Sequence, residues 1–360
     1  MVVACSRDFE LQIVGLQLEF VELVISRNAN TGVAEKTEQP KEERERINAF
    51  LEATREGPLE TLILQAEHRK LDMLFEPEYL ADQIQGIQRR EKVDLYLVDQ
   101  LSYGVTIALY LLGLPFVSFC PAHPYPIPVG RNLYGVPPLW PEVVATPAGD
   151  AADSSPPIDA ELLQHLRELS VQVEEHFTNE FNTVLRRSAP EQRRIGNAFR
   201  FTSYPAVLYN YPEFDPGREI AGAGAQEEAL KGLPERKALV RSFVPQIRFL
   251  PQMDLFVHHG GNNSFTESLY YGAPTILLPF SSDQFNVARD AESQGVAPVL
   301  NPNRFSEPRL AEAARQTLES DRSSVAAWSR WVRERGPAFG VRRLQLLGNG
   351  VPADRSDQPG

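Results

Sequence analysis

The sequence predicts an α/β protein of two domains, each built from a parallel β-sheet with helices packed on it. Three observations support this fold class. Apolar stretches of strand length alternate with amphipathic stretches of helix length along most of the chain. Apolar strands at 93–98 and 115–119 are joined by one helix, which is the connection that parallel strands need. The length of 360 residues, 42% of them hydrophobic, suits two domains with cores of ordinary size.

The N-terminal domain is predicted over residues 1–205. Its strands are expected at 2–5, 16–25, 93–98 and 115–119, and its helices at 44–54, 78–90, 103–112 and 160–187. A short strand at 206–210 closes this half. The apolar stretch 105–119 approaches the length of a membrane span, but Gly113 and Pro115 interrupt it. A helix followed by a buried strand is therefore predicted there, and no membrane span.

The C-terminal domain is predicted over residues 206–345, followed by a polar tail at 346–360. Its strands are expected at 238–243, 255–258, 275–278 and 297–300, and its helices at 264–271, 285–294, 307–319 and 325–334. Two segments without periodicity, at 145–157 and 213–237, are predicted to be a loop and a polar connection.

The charge balance and the cysteines limit the partners and the compartment. Acidic residues outnumber basic ones by 48 to 36, giving a net charge of -12, and such a surface repels nucleic acid and anionic lipid. Cys5 and Cys120 lie in apolar contexts and are expected to be free thiols in a reducing cytosol. No basic-then-apolar leader is present, and no Cys and His spacing matches a zinc site. A cytoplasmic protein without a metal or other cofactor is therefore predicted.

The most informative segment runs from Phe256 to Glu267. It predicts a short strand, a turn rich in Gly and Asn, and the start of a helix. A helix that begins in this way presents backbone N–H groups and a partial positive charge to the space above it. Such a junction binds anions, most often phosphate. Because the chain is acidic, the site must rely on these backbone donors and a few local side chains.

Four blocks of sequence between residues 243 and 284 give this phosphate site a family context. They are Phe243-Val244-Pro245-Gln246, His259-Gly260-Gly261-Asn262-Asn263-Ser264-x-x-Glu267, Gly272-Ala273-Pro274 and Asp283-Gln284. In type and spacing they resemble the donor signature of nucleotide-sugar-dependent glycosyltransferases with the GT-B fold, which include plant natural-product and bacterial macrolide enzymes. The resemblance implies two Rossmann-like domains facing across a cleft, each expected to be short of its first strand or strands.

The resemblance implies a donor-binding role for nine residues, each by its place in the motif. They are Phe243 and Gln246 for the nucleobase and nucleoside, His259, Gly261, Asn263 and Ser264 for the diphosphate, Glu267 for the ribose hydroxyls, and Asp283 and Gln284 for the transferred sugar. The chemistry agrees, because a diphosphate leaving group needs hydrogen-bond donors to stabilise its developing charge when no metal is bound.

The first domain matches the family less well. Asp99 matches the aspartate that orients a catalytic histidine in this family, where the histidine takes the proton of the acceptor hydroxyl. The family histidine follows the first strand in a Gly-His context, and no histidine precedes His68 in this sequence. At 215–239 the family opens its second domain with two strand–helix units and a Gly-Ser loop, which this sequence lacks. The resemblance is strong over 238–300 and weak over 93–119.

Several of these residues also have a purely structural interpretation. The alternatives are a capping box that begins at Ser264, an N-cap at Asp283, a core position at Phe243 and a helix cap at Asp99. His123 lies in a loop after a strand. It either lines the acceptor pocket, replaces the missing base, or is a loop histidine held by its neighbours.

The resemblance implies transfer of a hexose from a UDP- or dTDP-sugar to a hydroxyl of a small hydrophobic acceptor. The acceptor would lie on the first domain, against the apolar and aromatic segment 119–140. Because the histidine is absent, a catalytically impaired member that binds a nucleotide sugar or a partner glycosyltransferase without turnover is a second hypothesis. A UDP-sugar epimerase is a third, although the sequence shows no carboxylate pair for it. The sequence does not predict the sugar, the acceptor, the nucleobase or the oligomeric state.

Overall fold

The structure is a computed structural model, and it describes residues 1–25, 41–71, 76–120, 122–123, 132–145, 158–200, 207–209, 246–304 and 306–348. The strands in this part of the chain are β1 (Val2–Cys5), β2 (Glu19–Glu22), β3 (Tyr96–Asp99), β4 (Phe116–Cys120), β5 (Val207–Tyr209), β6 (Phe256–His258) and β7 (Thr275–Leu277). The helices are α1 (Glu10–Gly15), α2 (Lys41–Glu56), α3 (Pro58–Leu71), α4 (Pro77–Glu91), α5 (Tyr103–Leu111), α6 (Glu142–Ala145), α7 (Ala160–Ser188), α8 (Gln246–Phe249), α9 (Asn262–Tyr271), α10 (Gln284–Ser293), α11 (Glu307–Glu319) and α12 (Ser323–Gly348).

All the described strand pairs are parallel, as the sequence predicts for an α/β fold. In the N-terminal half, β1 pairs with β2, and β3, β4 and β5 form a second sheet in that order. Asp99 at the end of β3 lies opposite Phe119 of β4. Strand β5 pairs with β4 although it follows the predicted domain boundary at residue 205. This pairing favours a boundary a few residues later, and the division into domains stays a prediction.

The C-terminal sheet pairs β6 with β7 in parallel. The predicted strand at 297–300 is wrong as a strand, because only one isolated bridge forms there, between Leu277 and Val299. The predicted strand at 238–243 and the connection at 213–237 lie outside the described residues. Helix α12 contains a kink at Gly336 and continues to Gly348, past the predicted start of the tail at 346.

The core of the N-terminal half follows from helical spacing. Pro77 occupies the first turn of α4, where its missing N–H costs nothing, and Leu80, Ile84 and Ile87 form one buried face. This face packs on β3, β4 and α5. A second cluster joins α5 to the long helix α7, which Asp159 caps by accepting from the backbone N–H groups of the first turn.

A third cluster joins the two halves of the chain. Phe285 of α10 is 1% exposed and packs among apolar residues of α3 and α7, including Leu59, Leu62 and Leu166. Its ring centroid lies 5.2 Å from that of Trp140. Since burying an aromatic side chain of this kind contributes about 1.5–3 kcal/mol, the contact holds α10 against the N-terminal helices. The start of α10 is thereby placed between the two halves.

Two helices and one strand of the N-terminal half differ from the prediction. Helix α1, at Glu10–Gly15, was not predicted. The strand expected at 16–25 is shorter, since β2 covers only Glu19–Glu22. Helix α3, which carries His68, was not predicted as a full helix, although Pro58 at its first turn and the apolar positions after it are typical signals. Among the described helices, none combines the length and the apolar character that crossing a bilayer would need.

Candidate functional site

The turn between β6 and α9 forms as the sequence predicts, and its glycines explain the geometry. Gly260 has φ of +82°, a conformation that favours glycine, and Gly261 is the N-cap of α9. Phe265 N donates the first helical hydrogen bond to Gly261 O at 3.0 Å. The N–H groups of Asn263 and Ser264 precede that bond, and the Asn263 side chain is exposed. The helix therefore presents backbone donors with no side-chain cap at Gly261.

The capping-box alternative at Ser264 is wrong, because α9 begins two residues earlier, at Asn262. The Ser264 hydroxyl is instead buried against Gln246, whose Nε2 lies 3.3 Å away. The same Nε2 donates to Glu267 Oε2 at 2.7 Å. Three residues that the motif assigned to nucleoside, diphosphate and ribose are thus joined in one hydrogen-bonded group. The Ser264 backbone N–H, rather than its hydroxyl, lies among the donors of the first turn.

Two adjacent histidines, His258 at the end of β6 and His259 directly after it, both have lowered pKa values. Burial, with a smaller contribution from His259, lowers the pKa of His258 to about 3. Its Nδ1 accepts from Gly260 N at 3.1 Å, so the ring proton lies on Nε2 and the turn is fixed. Burial also lowers the pKa of His259, which is half-buried beside the start of α9. His259 can therefore donate a hydrogen bond to an anion but carries no charge at neutral pH.

The loop after β7 meets this turn. A Cβ atom at position 260 would lie 3.5 Å from the carbonyl oxygen of Gln284, so the two loops touch at the carboxyl ends of β6 and β7. The Gln284 side chain turns back on its own loop, where Oε1 accepts from Phe280 N at 2.8 Å and Ser281 N at 3.1 Å. The structure thus places Gln284 beside the turn between β6 and α9, with its side-chain amide bound to its own loop.

Asp283 occupies the N-cap position of α10 but does not cap the helix with its side chain. Its Oδ2 accepts instead from the backbone N–H of His123 at 3.1 Å, across the junction of the two halves. Asp283 is 8% exposed, and burial raises its pKa to about 6, with a smaller opposite effect of the His123 N–H. His123 is fully buried, and its Nε2 lies 3.2 Å from Asp290 Oδ2. Of the three interpretations of His123, the structure favours a histidine held by its neighbours.

The raised pKa of Asp283 predicts a pH-dependent penalty on stability. Because the folded pKa lies above the unfolded value, the neutral form is favoured, and the stability it contributes below about pH 4 is lost as the pH rises through about 6. Asp283→Asn keeps the acceptor for His123 and cannot ionise. Urea unfolding should show the variant more stable than wild type by up to about 3 kcal/mol near pH 7.5, and by much less near pH 4. The exposed Asp94→Asn is the control, and an equal difference at both pH values would contradict the prediction.

Asp99 ends β3 as predicted, at the carboxyl end of the sheet formed by β3, β4 and β5. Its Oδ1 accepts from Leu101 N at 2.8 Å, and the N-cap of α5 is Ser102, so Asp99 closes the turn before the helix. Although the residue is exposed, desolvation of its carboxylate raises its pKa. Within the described ranges, Asp99 accepts no hydrogen bond from a histidine. Its role as the orienter of a catalytic base stays a prediction.

Two residues remain to be placed: Phe243, which the sequence assigned to the site, and Asp290, which it did not. Phe243, expected to stack on the nucleobase, lies outside the described residues. Asp290 was missed as the partner of His123, although its place seven residues after Asp283 puts both on the same side of α10, two turns apart.

In the part of the chain that the structure describes, no three His, Cys, Asp or Glu side chains are grouped as a metal site would require. The absence of a cofactor stays a prediction.

A family model matches the C-terminal half of the chain, and curated relatives match about a third of its length. Residues 210–335 match the family described as erythromycin biosynthesis protein CIII-like, C-terminal domain. The uncharacterized UDP-glucosyltransferase YojK of Bacillus subtilis (strain 168) is 35% identical over 110 residues, which cover 30% of this chain and 27% of that protein. The NDP-glycosyltransferase YjiC of Bacillus licheniformis is 31% identical over 120 residues, or 33% of this chain and 27% of that protein. The match thus spans about a quarter of each relative's length.

Solved structures resemble the whole chain in fold. The glycosyltransferase of kitacinnamycin superposes with a TM-score of 0.53 at 13% identity, covering 96% of this chain and 90% of that chain. The glycosyltransferase VinC in complex with dTDP gives 0.50 at 14% identity, covering 97% and 92%. At such identities the likeness shows the fold, which is that of the GT-B glycosyltransferases. Residues 210–335 match the C-terminal domain model of a macrolide-type glycosyltransferase family, and the resemblance found in the motifs is confirmed.

Proposed function

We propose that this chain is a glycosyltransferase that moves a hexose from a UDP- or dTDP-sugar to a hydroxyl of a small hydrophobic acceptor. The observation that carries the proposal is the start of α9, which has no side-chain cap, with the half-buried, neutral His259 two residues before the N-cap Gly261. The hydrogen-bonded Gln246 and Glu267 lie beside it. The names of the relatives, which include UDP-glucosyltransferase and NDP-glycosyltransferase, support a nucleotide sugar as the donor.

The chemistry requires one bond to form at the anomeric carbon as another breaks. The acceptor oxygen bonds to that carbon, the bond to the diphosphate oxygen breaks, and its electron pair leaves with the diphosphate. Donors fixed before the reaction stabilise this charge without reorganisation, which is the largest single contribution in many such sites. Neutral His259 and the N–H groups of Asn263 and Ser264 would supply them, and Glu267 would accept from the ribose hydroxyls. In this proposal no metal is required.

The acceptor proton needs a base on the N-terminal side. Asp99 is the carboxylate at the carboxyl end of β3, and its raised pKa makes it a stronger base than an ordinary aspartate. Since no histidine bonds to it in the described residues, binding of a nucleotide sugar without turnover is the second candidate function. In this proposal the acceptor lies against the first domain, where the aromatic residues Tyr134 and Trp140 are half-buried.

Calorimetric titration with UDP and with dTDP, followed by a turnover assay with varied hydroxyl acceptors, tests the proposal. We expect one of the two nucleotides to bind, and product to form with an apolar acceptor. Binding without transfer or donor hydrolysis would establish the second candidate. If neither nucleotide binds, the anion site at α9 has another ligand and the proposal is wrong.

A further inference from the structure

The aspartate expected to hold the donor sugar is covered by the N-terminal half of the chain. Asp283 is 8% exposed, and its Oδ2 accepts from His123 N at 3.1 Å. Its neighbour Gln284 uses its side-chain amide within its own loop. A sugar hydroxyl can therefore reach Oδ2 of this carboxylate only if the backbone N–H of His123 moves away. The sugar subsite is closed in the structure, whereas Asn263 at the diphosphate turn is exposed.

The covering residue is anchored by its side chain as well as its backbone. The imidazole of His123 is fully buried, and Nε2 lies 3.2 Å from Asp290 Oδ2. Asp283 and Asp290 lie two turns apart along the side of α10 that faces the N-terminal half. One residue thus contacts two carboxylates of one helix. Removing the imidazole would weaken this attachment without deleting the backbone N–H that covers Asp283.

Two other hydrogen bonds also join the N-terminal half to α10 or to the loop before it. Gln65 of α3 donates from Nε2 to Ser282 Oγ at 2.8 Å, and Glu142 N donates to Glu292 Oε2 at 2.9 Å. Both pairs are exposed, so each contributes little by itself. Among these contacts of the described residues, the pair of His123 and Asp290 is therefore the best shielded from solvent.

We propose that His123 is a positioning residue that closes the sugar subsite in the donor-free protein and is displaced by the donor sugar. This inference rests on the proposed function, because it concerns the sugar held at Asp283. On binding, a sugar hydroxyl replaces the His123 N–H as the hydrogen-bond donor to the carboxylate. A nucleotide sugar binds only to the open state, so its apparent affinity is reduced by the open fraction. A nucleoside diphosphate has no sugar to place there and binds at α9 without this reduction.

Cys120 provides a native probe of the opening. It is fully buried, and its Sγ lies 3.2 Å from the carbonyl oxygen of Ala122, next to His123. In a Cys5→Ser background, the alkylation rate of Cys120 measures how often this segment moves. We expect His123→Ala to raise that rate roughly tenfold, and to tighten binding of UDP-glucose or dTDP-glucose by a similar factor. Binding of UDP or dTDP should not change. His123→Gln, which retains a donor that can reach Asp290, should restore both values towards wild type.

The control is His165→Ala, which removes an exposed histidine of α7. Wild-type alkylation of Cys120 in His123→Ala would overturn the proposal, as would an equal change in affinity for nucleotide sugar and nucleoside diphosphate. If no nucleotide binds any variant, the proposed function fails. The alkylation rates of Cys120 would still show whether the His123 side chain holds the backbone next to Cys120 in place. Should His123→Ala not fold, Asp290→Ala, which removes the other partner of the same buried bond, is measured in its place. A faster alkylation of Cys120 would support the proposal and an unchanged rate would overturn it.

Discussion

His259→Ala is expected to bind UDP or dTDP roughly ten- to hundredfold more weakly than the wild-type chain. The ring stands at the start of α9 and, because burial lowers its pKa, it is a neutral hydrogen-bond donor at pH 7. Losing one such bond to a charged group costs about 1.5–3 kcal/mol. Where the chain turns over, the rate should fall further, by about a hundredfold, because the bond strengthens as the diphosphate leaves. Calorimetric titration and single-turnover kinetics measure the two effects.

The pH dependence separates this account from a charged histidine. A protonated imidazole would lose affinity as the pH rises through the ordinary histidine range near 6.5. With the pKa of His259 lowered by burial, any change in affinity that comes from its titration should lie below about pH 6.5. His259→Gln, which keeps an N–H donor, should recover part of the affinity, and the exposed His165→Ala should change nothing. Equal binding by His259→Ala and wild type would remove this residue from the site.

The site elements could be predicted from the sequence because their signals are local. The strand, glycine turn and helix around residue 260 need only neighbouring residues, and the observed β6 and α9 agree with the prediction to within two residues. The same locality explains the error at Ser264. A Ser-x-x-Glu pattern fits a capping box, but Gly261 is the N-cap of α9. Ser264 therefore lies inside the helix, where its hydroxyl accepts a hydrogen bond from Gln246.

The contacts between the halves could not be predicted, because no local pattern records them. His123 and Asp290 are 167 residues apart in the chain, and neither lies in a context that indicates the other. Likewise Phe285 fits the apolar face of α10 in the sequence, yet its partners lie on α3 and α7. Such pairings depend on how the two halves of the chain pack against each other. The buried state of Asp283, and with it the raised pKa, follows from that docking.

Phe285→Ala is expected to lower the free energy of unfolding by about 3–5 kcal/mol, because it leaves a cavity where a fully buried ring packs. Its neighbours include Leu59 and Leu62 of α3 and Leu166 of α7, so the cavity opens between the halves. The two halves should then unfold more independently. Differential scanning calorimetry should show a lower midpoint and a broader or split transition in the variant.

Phe280→Ala is the matched control for this change. Phe280 lies five residues earlier, in the loop that leads to α10, and its side chain is 38% exposed. Its removal should cost well under about 1 kcal/mol and leave the shape of the transition unchanged. If both variants lost the same stability, Phe285 would have no special place between the halves. If Phe285→Ala lowered the midpoint but kept one sharp transition, the halves would unfold as a single unit.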